Sequence, residues 1–389
     1  RPSSQADRRR ILDALSLDSR HSVLLARRGA IAPPMNGARR NTDERIITDT
    51  GRAWLADPEL IPQKPTSRSR AARIRKALSD FAKDEGLPVN QTGYIFASRR
   101  EWEKNLWPPL RSHLRAPQLQ DLHLWIHHLQ SSQAFALNLF GPLQLRRDWA
   151  LAAWCEEFPA VQDVVFEYPQ DGDPLGETAD GQPHRTRVDV RVDFDSWRTA
   201  LIEVKFTEQE FGPCSAGHAR EFFDQKASCR EGGASAKEFG GMMQTLERTC
   251  FLSMQRKRRY FSLLLAPGSI ASSAGIERHG HAGCPLRDGL YQISRNLLMV
   301  DRVRREEGRR AEFVVAAPGP SRNRSLHSHR TLHGHSNMLD FLRSLVPPEE
   351  RDHVRFVNFE SVVARAAAMG DEAQAWAKYM EKKYVTALR

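Results

Sequence analysis

The sequence predicts an α/β fold in which helices cover the faces of a mixed sheet. Helical patterns and short apolar strands alternate between residues 118 and 318, in the order helix, three strands, helix, strand. Within that order, residues 187–194 and 199–206 alternate apolar and polar side chains with the period of two that is typical of strands. We therefore expect a core of αβββαβ order, accompanied by a helical, basic N-terminal region.

Apolar spacing and turn residues place the individual elements. Gly141-Pro142 is a stop signal for the buried helical pattern before it. Trp376, Met380 and Tyr384 recur at nearly helical spacing, which indicates the buried face of a C-terminal helix. The predicted elements are helices at 73–82, 102–114, 119–139 and 147–158, strands at 164–168, 187–194 and 199–206, a helix at 286–303, and strands at 312–317 and 354–359.

Changes in composition predict three parts of the chain. Residues 1–117 form a basic, mainly helical region, a nucleic-acid-binding arm or accessory domain whose stretch at 62–70 is an exposed linker. Residues 118–318 form the α/β core, interrupted by a polar insertion at about 207–285. Residues 319–389 add a strand and helices that pack on this core.

Charge and composition favour a polyanionic partner. The net charge is +10 and the pI about 9.6, with a mean hydropathy of −0.56, and residues 1–115 carry the whole surplus. Five cysteines without close pairing predict a reducing, cytoplasmic location. No apolar run approaches the length of a membrane helix and no apolar leader is seen, so we expect neither a membrane protein nor a secreted one.

Two neighbouring strands place their apolar residues at even positions and their charged residues at odd ones. Even positions 188–194 and 200–206 are all apolar, whereas Asp189, Asp193, Glu203 and Lys205 are odd. If the strands form a hairpin that turns at Asp195-Ser196, burying both apolar sets requires even residues to pair with even. The four charged side chains then share the other face.

Carboxylates and a lysine on one face of a hairpin suit divalent-metal chemistry. Mg²⁺ is bound by one or two carboxylates together with water and substrate phosphates, and a nearby lysine can orient the attacking water or offset negative charge. A solvated, charged hairpin face is the competing interpretation. The acid-any-Lys spacing alone has little weight, because it recurs at Asp224-Gln225-Lys226 and Glu381-Lys382-Lys383 without a strand pattern.

The order of elements and these residues resemble the PD-(D/E)xK nuclease superfamily. Residues 131–143, 202–214 and 284–296 further resemble a restriction-endonuclease-like branch of it, and the likeness covers about half the chain. The resemblance implies that Asp189, Glu203 and the main chain of Val204 bind Mg²⁺, which Mn²⁺ can replace, while Lys205 serves the attacking water. Val188 stands where the superfamily usually has a proline.

The same resemblance implies an additional upstream acid and polar residues in the cleft. Glu167 is the candidate for the acid, with Glu157 behind it, and a surface charge at a strand end is the alternative for Glu167. Gln133 and Gln292 are expected either to line the cleft or to cap and crosslink helices.

We therefore expect a Mg²⁺-dependent deoxyribonuclease, a DNA endonuclease of bacterial defence, restriction or repair. It would act as a homodimer or with a partner protein of a defence system. The alternative is a non-catalytic nucleic-acid-binding or assembly protein on a degenerate nuclease scaffold, although such scaffolds usually lose one of the three site residues. No P-loop, GxGxxG or Gly-x-Ser-x-Gly motif supports an ATPase, a dehydrogenase or a serine hydrolase.

Four cysteines in the insertion raise the question of a second metal centre. Some nucleases of the superfamily hold an iron–sulfur cluster or zinc near the core, and Cys214, Cys229, Cys250 and Cys284 could serve here. Their spacing contains no Cys-x-x-Cys pair, so buried thiols are the simpler interpretation. Histidines at 279–281 and 327–335 could also bind a metal, but for residues 327–335 a polar surface loop is the better interpretation.

Overall fold

A five-stranded mixed sheet forms the centre of the protein, which confirms the predicted α/β class. The computed structural model describes residues 70–113, 122–169, 173, 175–177, 186–212, 214, 239–254, 256–266, 269, 284, 286 and 289–388. Most of the predicted N-terminal region therefore lies outside the described residues, as do the histidines at 279–281. Residues 65–389 group as one compact unit.

The elements follow each other in an order that alternates helices and strands. Before the sheet come α1 (Arg70–Asp84), two 3-10 turns (Arg99–Asn105 and Pro108–Leu110), α2 (Ser132–Gln144) and α3 (Asp148–Ala153). The central part contains β1 (Val161–Pro169), β2 (Arg187–Phe194), β3 (Arg198–Val204), α4 (Phe239–Thr249), α5 (Phe251–Met254), α6 (Tyr260–Leu264), α7 (Tyr291–Glu307) and β4 (Arg310–Ala317).

The C-terminal part completes the sheet and one helical layer. It contains α8 (Met338–Ser344), a 3-10 turn (Pro348–His353), β5 (Val354–Asn358), α9 (Phe359–Ala367), α10 (Asp371–Met380), a π-helical turn (Glu381–Val385) and a 3-10 turn (Thr386–Leu388). No helix among the described residues is long and apolar enough to cross a membrane.

The strands lie in the order β1-β2-β3-β4-β5, antiparallel from β1 to β3 and parallel from β3 to β5. In the β2–β3 hairpin, Val190 pairs with Ile202 and Val192 pairs with Ala200, so even residues face even residues. The predicted register is therefore confirmed, but the expectation that Val188 shares the face of Val190 is wrong, because Val188 is buried in the hydrophobic cluster on the opposite face. Asp195 in the turn has a φ of 55°, a left-handed conformation that aspartate tolerates better than most residues.

Two hydrophobic clusters, one on each face, make the sheet the middle layer of three. The even residues of β2 and β3 from Val190 onward pack with α1, α2, α9 and α10, and Trp376, Met380 and Tyr384 are buried there as predicted. The opposite face, which includes Leu201, packs with α4, α6, α7 and α8. Charged residues at the odd positions of β2 and β3 consequently lie on the side of α7.

The prediction of one helix from residue 119 to Leu139 is wrong at its beginning. Residues 124–127 form a turn, and α2 starts only after Ser131, whose hydroxyl caps the helix by accepting the N–H of Ala134. The side-chain amide of Asn105 donates to the carbonyls of Ile126 and His128 at 2.9 and 2.7 Å. These carbonyls therefore need no helical partner.

The stop predicted at Gly141-Pro142 is also wrong, because α2 continues to Gln144. A proline inside a helix has no N–H for the carbonyl four residues earlier, which here belongs to Asn138. The indole N–H of Trp376 donates to that carbonyl at 2.9 Å. A contact from a helix more than 200 residues away thus supplies the donor that Pro142 lacks.

We predict that Trp376→Phe lowers the free energy of unfolding by about 1–3 kcal/mol, because it leaves the buried carbonyl of Asn138 without its indole donor. Pro142→Ala provides a control, since alanine restores a local N–H for the same carbonyl. Urea denaturation of both single variants and the double variant measures the coupling. A cost of Trp376→Phe that is the same in both backgrounds would show that the indole hydrogen bond does not compensate for the proline.

Candidate active site

The predicted site residues meet where β2 begins and β3 ends. Asp189 and Glu203 lie one position beyond Val190 and Ile202, the last paired residues at this end of the hairpin. Here the N–H of Val204 donates to Oδ2 of Asp189 at 2.7 Å. The side chain of Asp189 therefore takes the place of a main-chain acceptor where the two strands separate.

Two polar side chains of helix α7 contact Lys205 and Glu203, the two other charged residues of the motif. Nζ of Lys205 lies 2.7 Å from Oε1 of Glu203 and donates to Oε1 of Gln292 at 2.7 Å. Nδ2 of Asn296 donates to Oε2 of Glu203 at 2.6 Å. Gln292 and Asn296 are four residues apart on one face of the helix, so a single rigid element orients both charged side chains.

A glycine makes room for this arrangement. Gly212 has a φ of +81°, and a Cβ at this position would lie 2.9 Å from Oε1 of Gln292, the atom that accepts from Lys205. Both the left-handed backbone and the close approach favour glycine. Gly212 thus supports the position of Gln292 over the lysine.

Glu167 approaches the same site from β1. Its φ of 48° is unusual for a residue with a side chain, and it lies beside the start of β2, since its neighbour Tyr168 pairs with Val188. Nε2 of Gln133, at the start of α2, donates to Oε1 of Glu167 at 2.6 Å. The structure therefore brings the predicted upstream acid and Gln133 together at the edge of the site.

The charges around Asp189 are unbalanced. Burial, together with the carboxylates of Glu203 and Glu167, raises the pKa of Asp189 well above its usual value. Burial of Lys205 would lower its pKa, but the nearby carboxylates of Glu203, Glu208 and Asp189 outweigh burial, so the pKa is raised. Lys205 is therefore a cation at neutral pH, and by itself it does not neutralise the carboxylates around it.

These residues line an open cleft of about 870 Å³. The sequence had not indicated Asn296, although its position one turn after Gln292 was a usable signal. The cleft is lined by His123, Trp125, His128, Gln130, Ser131, Ser132, Gln133, Glu167, Arg187, Asp189, Glu203, Val204, Lys205, Thr207, Glu208, Glu210, Gly212 and Gln292.

Two other acidic residues that the sequence analysis considered, Glu157 and Asp193, lie outside the cleft. Glu157 forms a bidentate ion pair with Arg365 at 2.5 and 2.6 Å, which identifies it as part of a salt bridge between loop and helix. Asp193 shares the strand and parity of Asp189 but lies near the turn of the hairpin, 2.9 Å from Arg191. In the part of the chain that the structure describes, neither Glu157 nor Asp193 lines the cleft.

The cysteines of the insertion lie in or against the hydrophobic cluster on the α7 side. Cys250 and Cys284 are buried in this cluster, and Cys214 packs against it. Cys229 lies outside the described residues. A zinc or iron–sulfur site formed by these four cysteines stays a prediction.

The donor atoms around Asp189 fit Mg²⁺. The described residues contain no group of three or more His, Cys, Asp or Glu side chains arranged to hold a metal. Mg²⁺ does not need such a group, because it is commonly bound by one or two carboxylates, water and substrate phosphates. Asp189 and Glu203 would supply the carboxylates. The carbonyl of Val204 would add a third oxygen, because the carbonyl and N–H of one strand residue point to the same side.

We predict that Asp189→Asn raises the free energy of unfolding of the metal-free protein at neutral pH. A carboxyl whose pKa is raised by folding stabilises the protein below its unfolded pKa of about 3.9, and this stabilisation is lost as the pH rises through the folded value. The asparagine does not titrate, so the two proteins should converge in stability as the pH falls towards about 4. Urea denaturation in EDTA across this range is the measurement.

Asp193→Asn is the matched control on the same strand. It removes a carboxylate that is paired with Arg191, so the free energy of unfolding should fall. A wild-type protein that is more stable than Asp189→Asn at neutral pH would contradict the unfavourable charge at Asp189.

Comparison with known proteins identifies the family. A family model described as Restriction Endonuclease associating with ARP matches residues 68–385, which is most of the chain and includes every residue of the candidate site. No curated protein and no solved structure matched the chain. The resemblance to restriction endonucleases is thereby confirmed at the level of the family. The chain belongs to the family of restriction endonucleases that associate with ARP.

Proposed function

We propose that the protein is a Mg²⁺-dependent nuclease of the PD-(D/E)xK type that hydrolyses phosphodiester bonds in DNA, and that it serves in defence. The observation that carries the proposal is the meeting of Asp189, Glu203 and Lys205 in one open cleft. Family membership supports a nuclease of restriction type. The succession of α2, β1 to β3, α7 and β4 also has the order expected for the core of that superfamily.

The side chains can divide the reaction among them. Asp189, Glu203 and the main chain of Val204 would bind Mg²⁺, which polarises the phosphodiester and lowers the pKa of an attacking water when it is bound. Lys205 would donate a hydrogen bond to the attacking water or to the developing negative charge. Gln292 keeps the ammonium of Lys205 in place.

Hydrolysis of the phosphodiester needs water as its only second reactant. The oxygen of water forms a bond to phosphorus, one ester P–O bond breaks, and the leaving oxygen takes up a proton. The products are a phosphomonoester and an alcohol. The basic surplus of the chain supports a nucleic-acid substrate, since it favours electrostatic contact with phosphates.

We predict that Lys205→Ala lowers the cleavage rate by about 100-fold or more, because a preorganised donor to developing charge is lost. Asp189→Ala and Glu203→Ala should be at least as severe, since they remove proposed metal ligands. Cleavage of linear, circular and single-stranded DNA and of RNA, with Mg²⁺ or Mn²⁺, is the measurement.

Lys382→Ala and Asp84→Ala are matched controls, because these two side chains form a surface ion pair outside the cleft, in which Lys382 also pairs with Glu85. They should leave the rate unchanged. If the wild-type protein binds nucleic acid but cuts none of the substrates, the result supports a non-catalytic nucleic-acid-binding protein and contradicts the nuclease. Equal cleavage by the wild-type protein and Lys205→Ala would reject the proposed site.

We predict that Asn296→Ala weakens the binding of Mn²⁺ by about 10-fold, because loss of a hydrogen-bonded partner of a metal ligand has effects of this size. Asn296 is buried and donates to Oε2 of Glu203. Isothermal titration calorimetry of the metal alone gives the affinity without a cleavage assay.

Ser269→Ala is the control for this experiment, since Ser269 donates to Oδ2 of Asp301 on the same helix at 2.6 Å, away from the cleft. It should leave Mn²⁺ affinity unchanged. Equal affinities of Asn296→Ala and the wild-type protein would show that Asn296 does not orient a metal ligand.

A further inference from the structure

The turn before α2 exposes two large apolar side chains to solvent. Leu124 is 56% exposed and Trp125 is 52% exposed, whereas Ile126 and Leu129 in the same segment are completely buried. Two adjacent exposed apolar side chains at the rim of a cleft form a small patch that can serve as a contact surface. We call residues 122–131 the tryptophan loop.

The tryptophan loop is held firmly despite its exposed tip. The amide of Asn105 donates to two of its carbonyls, those of Ile126 and His128. The N–H of His123 donates to Oε1 of Gln133 at 2.9 Å. Trp125 is therefore presented at a defined place, which lowers the entropic cost of a contact made by its ring.

The same loop forms part of the wall of the candidate active site. Trp125 and His128 line the cleft that contains Asp189, Glu203 and Lys205. The connection is direct, because Gln133 joins the main chain of His123 to the carboxylate of Glu167. A strand whose phosphate lies at the carboxylates would thus pass close to the indole.

The surface of the loop suits a base and not a phosphate. Residues 122–131 contain no Asp, Glu, Lys or Arg. The ring of Trp125 lies 5.0 Å from that of His128 between centroids, and burial, with smaller effects of the two other histidines, lowers the pKa of His128 to about 4, so this imidazole is neutral at physiological pH. Arg99, which is exposed and donates to the carbonyl of Leu122, offers a cation for the adjoining phosphate.

We propose that Trp125 is a base-stacking site for an unpaired nucleotide of the substrate strand, beside the phosphate that a metal ion at Asp189 and Glu203 would bind. A nucleotide inside a duplex has both faces covered by its neighbours, so only a single-stranded, frayed or flipped base can stack on the indole. This inference rests on the proposed nuclease function and defines its substrate as nucleic acid with unpaired bases at the site.

The test compares binding of a short, fluorescein-labelled oligothymidylate with binding of a blunt duplex of the same length, with Ca²⁺ in place of Mg²⁺ so that a divalent cation occupies the carboxylates while cleavage is slowed. Fluorescence anisotropy with the full chain gives both affinities. Trp125→Ala should weaken single-strand binding by about 10-fold and duplex binding by less than about twofold. Trp125→Phe keeps an aromatic face and should recover most of the lost affinity.

Trp197→Ala is the matched control. Trp197 is 51% exposed and lies in the hairpin turn between β2 and β3, at the opposite end of these strands from Asp189 and Glu203. It should bind both probes like the wild-type protein, and equal melting temperatures would show that each variant is folded.

Each outcome decides the question. Equal losses on single strand and duplex, or loss in Trp197→Ala as well, would overturn stacking by Trp125. Unchanged binding of both probes by Trp125→Ala would also overturn it and favour a protein partner as the occupant of the exposed tip. If the wild-type protein cleaves but Trp125→Ala binds single strands normally, only the stacking site is rejected. If Trp125→Ala binds single strands more weakly but the wild-type protein cleaves nothing, only the nuclease function is rejected.

Discussion

The pairing of β2 with β3 is the constraint on which the candidate site depends. Val190 lies opposite Ile202, so the even-numbered residues of both strands from Val190 onward enter one hydrophobic layer. The charged residues must then lie on the other side, against α7. A slip of one residue would move the apolar set to the side of α7 and the charged set into the opposite hydrophobic cluster, which makes the register strongly specified. Packing of the sheet therefore positions Asp189 and Glu203, without a contribution from any interaction between the two side chains.

The site is electrostatically unfavourable in the metal-free protein, and the fold tolerates this. Asp189 is partly buried beside two other carboxylates, and its pKa is raised accordingly. Two neutral amides of α7 contact the neighbouring groups, since Asn296 binds Glu203 and Gln292 binds Lys205. Neutral donors fix geometry without cancelling negative charge, so the attraction for a divalent cation is retained. Such a trade of stability for function is common at active sites.

Distant side chains replace local hydrogen bonds at two places, within α2 and in the tryptophan loop before it. Trp376 donates to the carbonyl that Pro142 leaves without a partner, and α2 therefore continues through the proline. Asn105 binds two carbonyls of the tryptophan loop and holds it outside the helix. Both contacts act on the segment that carries Gln133 and Trp125. The shape of the cleft wall therefore depends on residues far away in the chain.

The sequence by itself determined the five strands, the limits of β2 and the face on which Asp189, Glu203 and Lys205 lie. These features follow from the periodicity of side chains along a strand, which is visible in the sequence of that strand alone. Only the tertiary structure decided that α2 starts at Ser132, that Glu157 pairs with Arg365 and that Asn296 supports Glu203. Each of these depends on a partner supplied by another element, and periodicity contains no information about which element will supply it.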